Sequence, residues 1–143
     1  MRALGLDLGS RRIGVAISDS DGRVATPIAT LTRAKGRDHA ADHRAIADLV
    51  AEWEAGVVAV GLPLSLDGSI GPAAQSVLDE VDELARALDV PVETVDERFT
   101  TVTADQQLRA GGLRGRDRAQ VIDQAAAAVL LQAWLDRQES DEC

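Results

Sequence analysis

The chain has 143 residues, of which 45% are hydrophobic and 27% charged, so it fits one compact domain and excludes two full-sized ones. Fifteen Lys and Arg residues stand against 24 Asp and Glu residues, and the formal net charge of -9 argues against a protein that holds nucleic acid by bulk charge. The single cysteine, Cys143, excludes an intramolecular disulfide and a Cys-based metal site, and it favours a cytoplasmic location. No stretch has the roughly 18 consecutive apolar residues of a membrane helix, so we expect no membrane partner.

The first half of the chain predicts an antiparallel meander followed by a helix. Residues 3–8 and 12–18 are short apolar segments separated by a turn, and a third strand is expected within 23–31. From residue 39 to 54 the apolar residues follow a helical period, and Gly56 is expected to end this helix.

The second half predicts strands that alternate with helices. Residues 57–61 and 90–97 are expected strands, and a helix is expected to begin near Pro72. Further helices are expected from Thr100 to about Arg109 and from Asp117 onward. This order predicts an α/β fold with a mixed five-stranded sheet, an antiparallel meander followed by β-α alternation, and helices on both faces. We expect one domain over residues 1–137 and an acidic flexible tail over 138–143.

Three carboxylic acids occur in apolar surroundings. Asp7 lies between two leucines in a strand near the centre of the predicted sheet, where an isolated charge costs several kcal/mol. Asp96 and Glu97 lie at the carboxyl end of a strand, where open α/β sheets place their ligand sites, and the spacing does not choose between them. Asp123 lies in the most apolar helix. Taken singly, each has a structural explanation, such as a turn hydrogen bond, an Arg98 ion pair or the helix dipole.

Together, three carboxylates in one low-dielectric site predict a divalent cation between them, because they would otherwise repel each other. Oxygen ligands favour Mg²⁺ or Mn²⁺, and the chain lacks the Cys and His set that zinc prefers. Two such ions, about 3.5–4 Å apart, would suit hydrolysis of a phosphodiester.

Four segments resemble the YqgF family, whose members are described as pre-16S rRNA nucleases and as Holliday junction resolvases. The segments are GLDLGSRRIGVAISD (5–19), GLPLSLDGSIGP (61–72), DERFTT (96–101) and VIDQAAAAVLLQAWLD (121–136). They occur in the family's order and cover nearly the whole chain. The resemblance implies a ribonuclease H-like three-layer fold, as in the junction resolvase RuvC.

The resemblance also implies roles for individual residues. The family's acidic positions fall on Asp7, Glu97 and Asp123, which makes these three the expected catalytic residues and metal ligands. Family members often carry a lysine-rich stretch before the last helix, whereas this chain has the shorter segment 113–118, diluted by Asp117.

The basic residues fall into two groups. The first is the expected nucleic-acid surface, where guanidinium groups would contact phosphates: Arg98, Arg109, Arg114, Arg116 and Arg118. The second surrounds the first helix and is expected only to aid solubility: Arg33, Lys35, Arg37 and Arg44. His39 and His43 are four residues apart on one predicted helix face and could bind a metal, but no HExxH motif or Cys accompanies them, so we expect them to be exposed surface residues.

The carboxylates predict a divalent-metal-dependent nuclease, and the resemblance implies that it processes the 5′ end of pre-16S rRNA during ribosome biogenesis. The partner is expected to be structured RNA or branched DNA, and a Holliday junction resolvase is an alternative with the same chemistry. A second class, the ATP-binding actin and Hsp70 superfamily, shares Asp7-Leu8-Gly9 and Gly14-Val15 but needs two domains. A non-catalytic RNA-binding assembly factor is a third possibility. The sequence leaves a monomer and a homodimer equally open.

Overall fold

The computed structural model describes residues 1–35, 39–99 and 115–141. The elements in chain order are β1 (Arg2–Leu8), β2 (Arg12–Ser18), β3 (Ala25–Thr32), α1 (Ala40–Glu52), β4 (Ala55–Leu62), α2 (Pro72–Ala87), β5 (Val92–Asp96), a 3₁₀ turn (Glu97–Phe99) and α3 (Gly115–Asp141). Within these ranges the predicted order of strands and helices is confirmed. The helix predicted from Thr100 to Arg109 lies outside the described residues.

The five strands form one mixed sheet in the order β3-β2-β1-β4-β5. β1 pairs antiparallel with β2 and parallel with β4, while β4 pairs parallel with β5. The sheet therefore has the antiparallel meander and the parallel half that the sequence predicts. β1 is the central strand, so that Asp7 lies in the middle of the sheet.

Helices cover both faces and produce three layers. On one face, α1 and α2 pack through Ile46 and Leu84 against large side chains such as Leu4 and Leu6 of β1. On the other face, α3 packs through Ala127 and Leu131 against small residues that include Ala3, Ala16 and Ala59. The small residues let α3 approach the sheet closely, since helix-to-sheet distance depends on the side chains between them.

Two strand glycines set the closest approach of α3. A Cβ atom added at Gly5 would lie 2.7 Å from the Cβ of Leu131, and one added at Gly14 would overlap the carbonyl oxygen of Asp123. Strand glycines often mark the places where another backbone comes near. Helix α3 therefore rests on β1 and β2 where any larger residue would push it away.

Three boundaries differ from the sequence prediction. Helix α1 ends at Glu52, and Glu54 has the left-handed φ of 54° expected after a helix end, so Gly56 does not end the helix. Gly56 lies inside β4, because Ala55 already pairs with Arg2 of β1. Helix α3 continues to Asp141, beyond residue 137, where the sequence predicts the domain to end. Among the described helices, none is long and apolar enough to cross a membrane.

Gly14→Ala should lower the free energy of unfolding by about 3 kcal/mol or more, measured by urea denaturation. Overpacking typically costs about 1–3 kcal/mol, and here the new methyl group would meet a backbone carbonyl, which cannot rotate away. Gly56→Ala is the matched control, because its methyl group would meet the flexible side chain of Met1. Equal losses in the two variants would show that α3 does not depend on Gly14.

Candidate active site

The three acids reach the same end of the sheet from three elements. Asp7 lies near the end of β1 and pairs with Gly14 of β2. Glu97 begins the 3₁₀ turn directly after β5, and Asp123 lies in α3 over Gly14. Because β1, β4 and β5 are parallel, their carboxyl ends lie at the same edge of the sheet. Asp7 lies near the carboxyl end of β1, and Glu97 follows the carboxyl end of β5. This is the edge where α/β sheets place their ligand sites.

Gly61 of β4 leaves the space in which Glu97 reaches Asp7. Gly61 follows Val60, the β4 partner of Leu6, and pairs with Val95 of β5. A Cβ atom at position 61 would overlap the Glu97 carboxylate. The Glu97 side chain therefore passes over Gly61 of β4. Its carboxyl group forms a hydrogen bond with Asp7.

Below about pH 7 the Asp7–Glu97 pair is expected to hold one proton. Burial raises the pKa of Glu97 to about 7, and the negative charge of Asp7 adds to the effect. Burial also raises the pKa of Asp7, the hydrogen bond with Glu97 lowers it, and the charge of Asp123 raises it. With one proton between them, one carboxyl donates and the other accepts. Without that proton the two charges repel in a poorly hydrated place.

Asp123 has its own cationic partner. The Nε atom of Arg12 donates a hydrogen bond to Oδ2 of Asp123 at 2.6 Å, in a half-buried ion pair. Arg12 begins β2, on the turn that follows β1. This contact ties α3 to the β1–β2 hairpin. Sequence analysis did not single out Arg12, since the two residues are far apart in the chain.

The structure distinguishes the two acids at the end of β5. Asp96 faces Arg98, whose Nη2 and Nε atoms donate to Asp96 Oδ2 at 2.6 and 2.9 Å. The hydrogen bonds from Arg98 lower the pKa of Asp96, whereas the pKa of Glu97 is raised. Glu97, and not Asp96, is therefore the acid that contacts Asp7, as the family resemblance implies.

The donor set of this site fits a hard divalent cation. Asp7 and Glu97 offer carboxylate oxygens that contact each other, and the charge of Asp123 is near enough to raise the pKa of Asp7. Carboxylate oxygens are the protein ligands of Mg²⁺ and Mn²⁺. The shared proton of Asp7 and Glu97 marks where positive charge is needed. A cation in that place would relieve the repulsion that the proton now relieves.

Most of the predicted nucleic-acid surface lies outside the described residues. Arg109 and Arg114 lie outside the described residues, as do the side chains of Arg116 and Arg118. Arg98 lies beside the site but is paired with Asp96 and donates to the carbonyl oxygen of Leu66 at 3.4 Å. A phosphate would have to compete with Asp96 for this guanidinium.

Two expectations about surface residues are wrong. His43 is 5% exposed, because α1 turns it toward α2, where its Nε2 atom lies 3.0 Å from Glu80 Oε2. Arg33 does not merely aid solubility, since its side chain is largely buried and binds Glu80, Asp42 and the carbonyl oxygen of Gly9. A helix pattern shows which residues share a face, but it does not show that Glu80 of another helix lies opposite.

Comparison with known proteins gives the family. The family model described as "RuvX: Holliday junction resolvase" matches residues 1–137. The chain belongs to the RuvX family. This confirms both the resemblance to the YqgF family and the expectation of a nuclease.

Curated relatives match over most of their length. A Mycobacterium ulcerans protein named "Putative pre-16S rRNA nuclease" is 49% identical over 140 residues, which cover 97% of this chain and 81% of the relative. A Streptomyces coelicolor protein of the same name is 52% identical over 136 residues, which cover 94% of this chain and 80% of the relative.

Solved structures confirm the ribonuclease H-like fold. Thermus thermophilus RuvC matches with a TM-score of 0.57 and 16% sequence identity, and the match covers 97% of each chain. The fowlpox virus Holliday junction resolvase has a TM-score of 0.56 at 12% identity, with 96% of this chain and 99% of that chain covered. At these identities the likeness concerns the fold.

Without metal, Glu97→Gln should stabilise the protein at pH 8, because glutamine still offers Asp7 a hydrogen-bond donor but carries no charge. The pKa of Glu97 is about 7 in the folded protein and 4.5 in its ordinary state, so the folded state binds the proton more tightly. The free energy of unfolding of the wild type should therefore fall as the pH rises from about 4.5 to about 7. After allowance for solvent screening, we expect a difference of about 1–2 kcal/mol at pH 8.

Thermal melting in EDTA from pH 4 to 8 measures this effect, and adding Mg²⁺ at pH 8 should raise the wild-type melting temperature more than that of the variant. Asp96→Asn is the control, and it should lower the melting temperature, since Arg98 stabilises the ionised Asp96. A wild type whose stability rises steadily from pH 5 to 8 would contradict the shared proton.

Proposed function

We propose that the protein is a divalent-metal-dependent nuclease with Asp7, Glu97 and Asp123 as its catalytic carboxylates. The observation that carries this proposal is the direct contact of Asp7 and Glu97 beneath Asp123, in a sheet that keeps glycines at positions 14 and 61 around them. Structural stabilisation does not explain the arrangement, because buried like charges cost free energy. Membership of the RuvX family supports the same function.

Each carboxylate has a distinct place in the proposed mechanism. Asp7, on the central strand, would hold Mg²⁺ or Mn²⁺ jointly with Glu97. Asp123 would complete the site from the helix layer, with Arg12 holding its Oδ2 atom. Bound there, two ions would supply an activated water and stabilise the leaving oxygen of a phosphodiester.

We propose structured RNA as the substrate, and specifically the 5′ end of pre-16S rRNA. The support is the name of the curated relatives at about half identity over nearly the whole chain. The description of the family model favours a second candidate, a four-way DNA junction. Both substrates would use the same acids, and a cytoplasmic location suits either. The protein would act as a monomer or a homodimer.

An acidic protein needs a local basic surface to bind a polyanion. We propose that Arg98, Arg109, Arg114, Arg116 and Arg118 provide it, since they follow Glu97 and precede Asp123 in the chain. Guanidinium groups placed between two acids of the site would bring the phosphate backbone to the metal ligands.

Asp7→Asn should abolish cleavage while the protein stays folded, because the change removes a charged ligand without altering side-chain volume. The assay incubates the protein with a pre-16S rRNA fragment or a four-way DNA junction in Mg²⁺, Mn²⁺ or EDTA. Glu97→Gln should behave in the same way, whereas Asp96→Asn should lose much less activity.

Cleavage of RNA alone would support the rRNA substrate, and cleavage of the junction alone would support the resolvase. An Asp7→Asn protein that cuts at the wild-type rate would refute the assignment of the acids. Metal-independent cleavage would refute the chemistry.

Replacing Arg114 and Arg116 with Ala should reduce the salt dependence of binding, because each neutralised phosphate releases about 0.7–0.9 counterion. We expect the slope of log affinity against log salt to flatten by roughly one to two units. The control replaces Lys35 and Arg44, which are exposed near α1. Equal effects of both pairs would mean that the basic surface has been placed wrongly.

A further inference from the structure

A second group of metal-ligating side chains lies between α1 and α2. His39 and His43 are one helical turn apart, and their ring centroids are 5.6 Å from each other. Glu80 of α2 faces both, with its Oε2 atom 3.0 Å from His43 Nε2 and 3.8 Å from His39 Nδ1. The three candidate ligand atoms lie within 4.8 Å of one another.

We propose that His39, His43 and Glu80 form a zinc site that is separate from the carboxylate site. Zinc bonds of about 2.0–2.1 Å in a tetrahedral arrangement place neighbouring ligand atoms roughly 3.3 Å apart. The two separations from Glu80, 3.0 and 3.8 Å, lie on either side of this value, and the two histidine ligand atoms lie within 4.8 Å of each other, so side-chain rotation would have to bring the imidazoles to the ion. Two imidazoles and one carboxylate are a ligand combination that suits zinc and not Mg²⁺.

The surroundings orient the carboxylate ligand. Arg33 donates to Glu80 through Nη2 to Oε1 at 2.8 Å and through Nη1 to Oε2 at 2.9 Å. Burial opposes the ionisation of Glu80, but hydrogen bonds from Arg33 and His43 outweigh it and lower its pKa. Glu80 is therefore held as the carboxylate, which is the form that binds metal. Such outer hydrogen bonds are typical partners of metal ligands.

The charged groups around the cluster have a net negative charge that a divalent cation would neutralise. The guanidinium of Arg33 faces the carboxylates of Asp42 and Glu80, and Glu83 lies 3.0 Å from Nδ1 of His39. With neutral imidazoles, these three carboxylates and one guanidinium sum to two negative charges, which a zinc ion would balance. Glu83 is half exposed and contacts the same Nδ1 atom of His39 that zinc would take, so a water molecule would be the fourth ligand.

Ions can reach the site, and the site contacts the turn after Asp7. A cavity of about 350 Å³ is lined by Gly9, Arg33, His39, Asp42, Ser76 and Glu80. One third of the His39 side chain is exposed. Arg33 Nε donates to the carbonyl oxygen of Gly9 at 2.7 Å, two residues beyond Asp7. A zinc ion here would join α1 to α2 and brace this turn through Glu80 and Arg33.

The test is isothermal titration of the full-length protein with ZnCl₂ in excess Mg²⁺, which occupies the carboxylate site. We expect one zinc ion to bind per chain and the melting temperature to rise. Loss of an outer partner commonly weakens metal binding about 10- to 100-fold, so His39→Ala, which removes a direct ligand, should weaken it by about 100-fold or more. Glu97→Gln is the matched control and should bind zinc as the wild type does.

Substitution with Co²⁺ gives a second readout that does not depend on stability, because a tetrahedral site with nitrogen ligands should give visible absorption that His39→Ala lacks. His43→Gln, checked for folding by circular dichroism, repeats the test at the buried ligand. Absence of zinc binding, or equal binding by His39→Ala, would overturn the proposal. Loss of binding only in Glu97→Gln would place the zinc in the carboxylate site and would also overturn it.

Discussion

The close approach of α3 to the centre of the sheet is the constraint on which the candidate active site depends. Gly5 and Gly14 allow the helix backbone to come within contact of β1 and β2, and no larger residue fits at either position. Because Gly14 pairs with Asp7 across the sheet, the same contact that packs the helix also brings Asp123 above Asp7. Gly14 therefore serves both the packing of α3 and the placement of Asp123, and a change that loosens the helix would also move this carboxylate.

The electrostatics of the site follow from that packing. The helix and the neighbouring strands partly bury Asp7 and Glu97, and this burial raises the pKa values of both carboxyl groups. Asp123 forms an ion pair with Arg12, which lies at the start of β2. Arg33 reaches the other side of this turn and links it to the His39, His43 and Glu80 cluster. The turn after Asp7 is therefore held by charged groups from both layers.

Much of the fold follows from local patterns that the sequence displays. The alternation and length of apolar runs predict each described strand, and the most continuous runs fall on β1, β2 and β4, which lie inside the sheet with helices on both faces. The family resemblance identifies Glu97 over Asp96, a choice that spacing leaves open. The roles of Gly14, Gly61 and Arg12 could not be predicted, since each depends on a residue distant in sequence. His43 and Arg33 were misplaced for the same reason: their burial depends on Glu80 in a different helix.

The central claim is that Asp7, Glu97 and Asp123 together hold divalent metal. The most direct measurement is a crystal structure of the protein grown with Mn²⁺, recorded near the manganese absorption edge so that the ions give anomalous density. The account predicts anomalous density bounded by the carboxylates of Asp7, Glu97 and Asp123, with the shared proton displaced. It also predicts that the density disappears in Asp7→Asn crystals. Manganese density elsewhere, with Asp7 and Glu97 still hydrogen-bonded to each other, would contradict it.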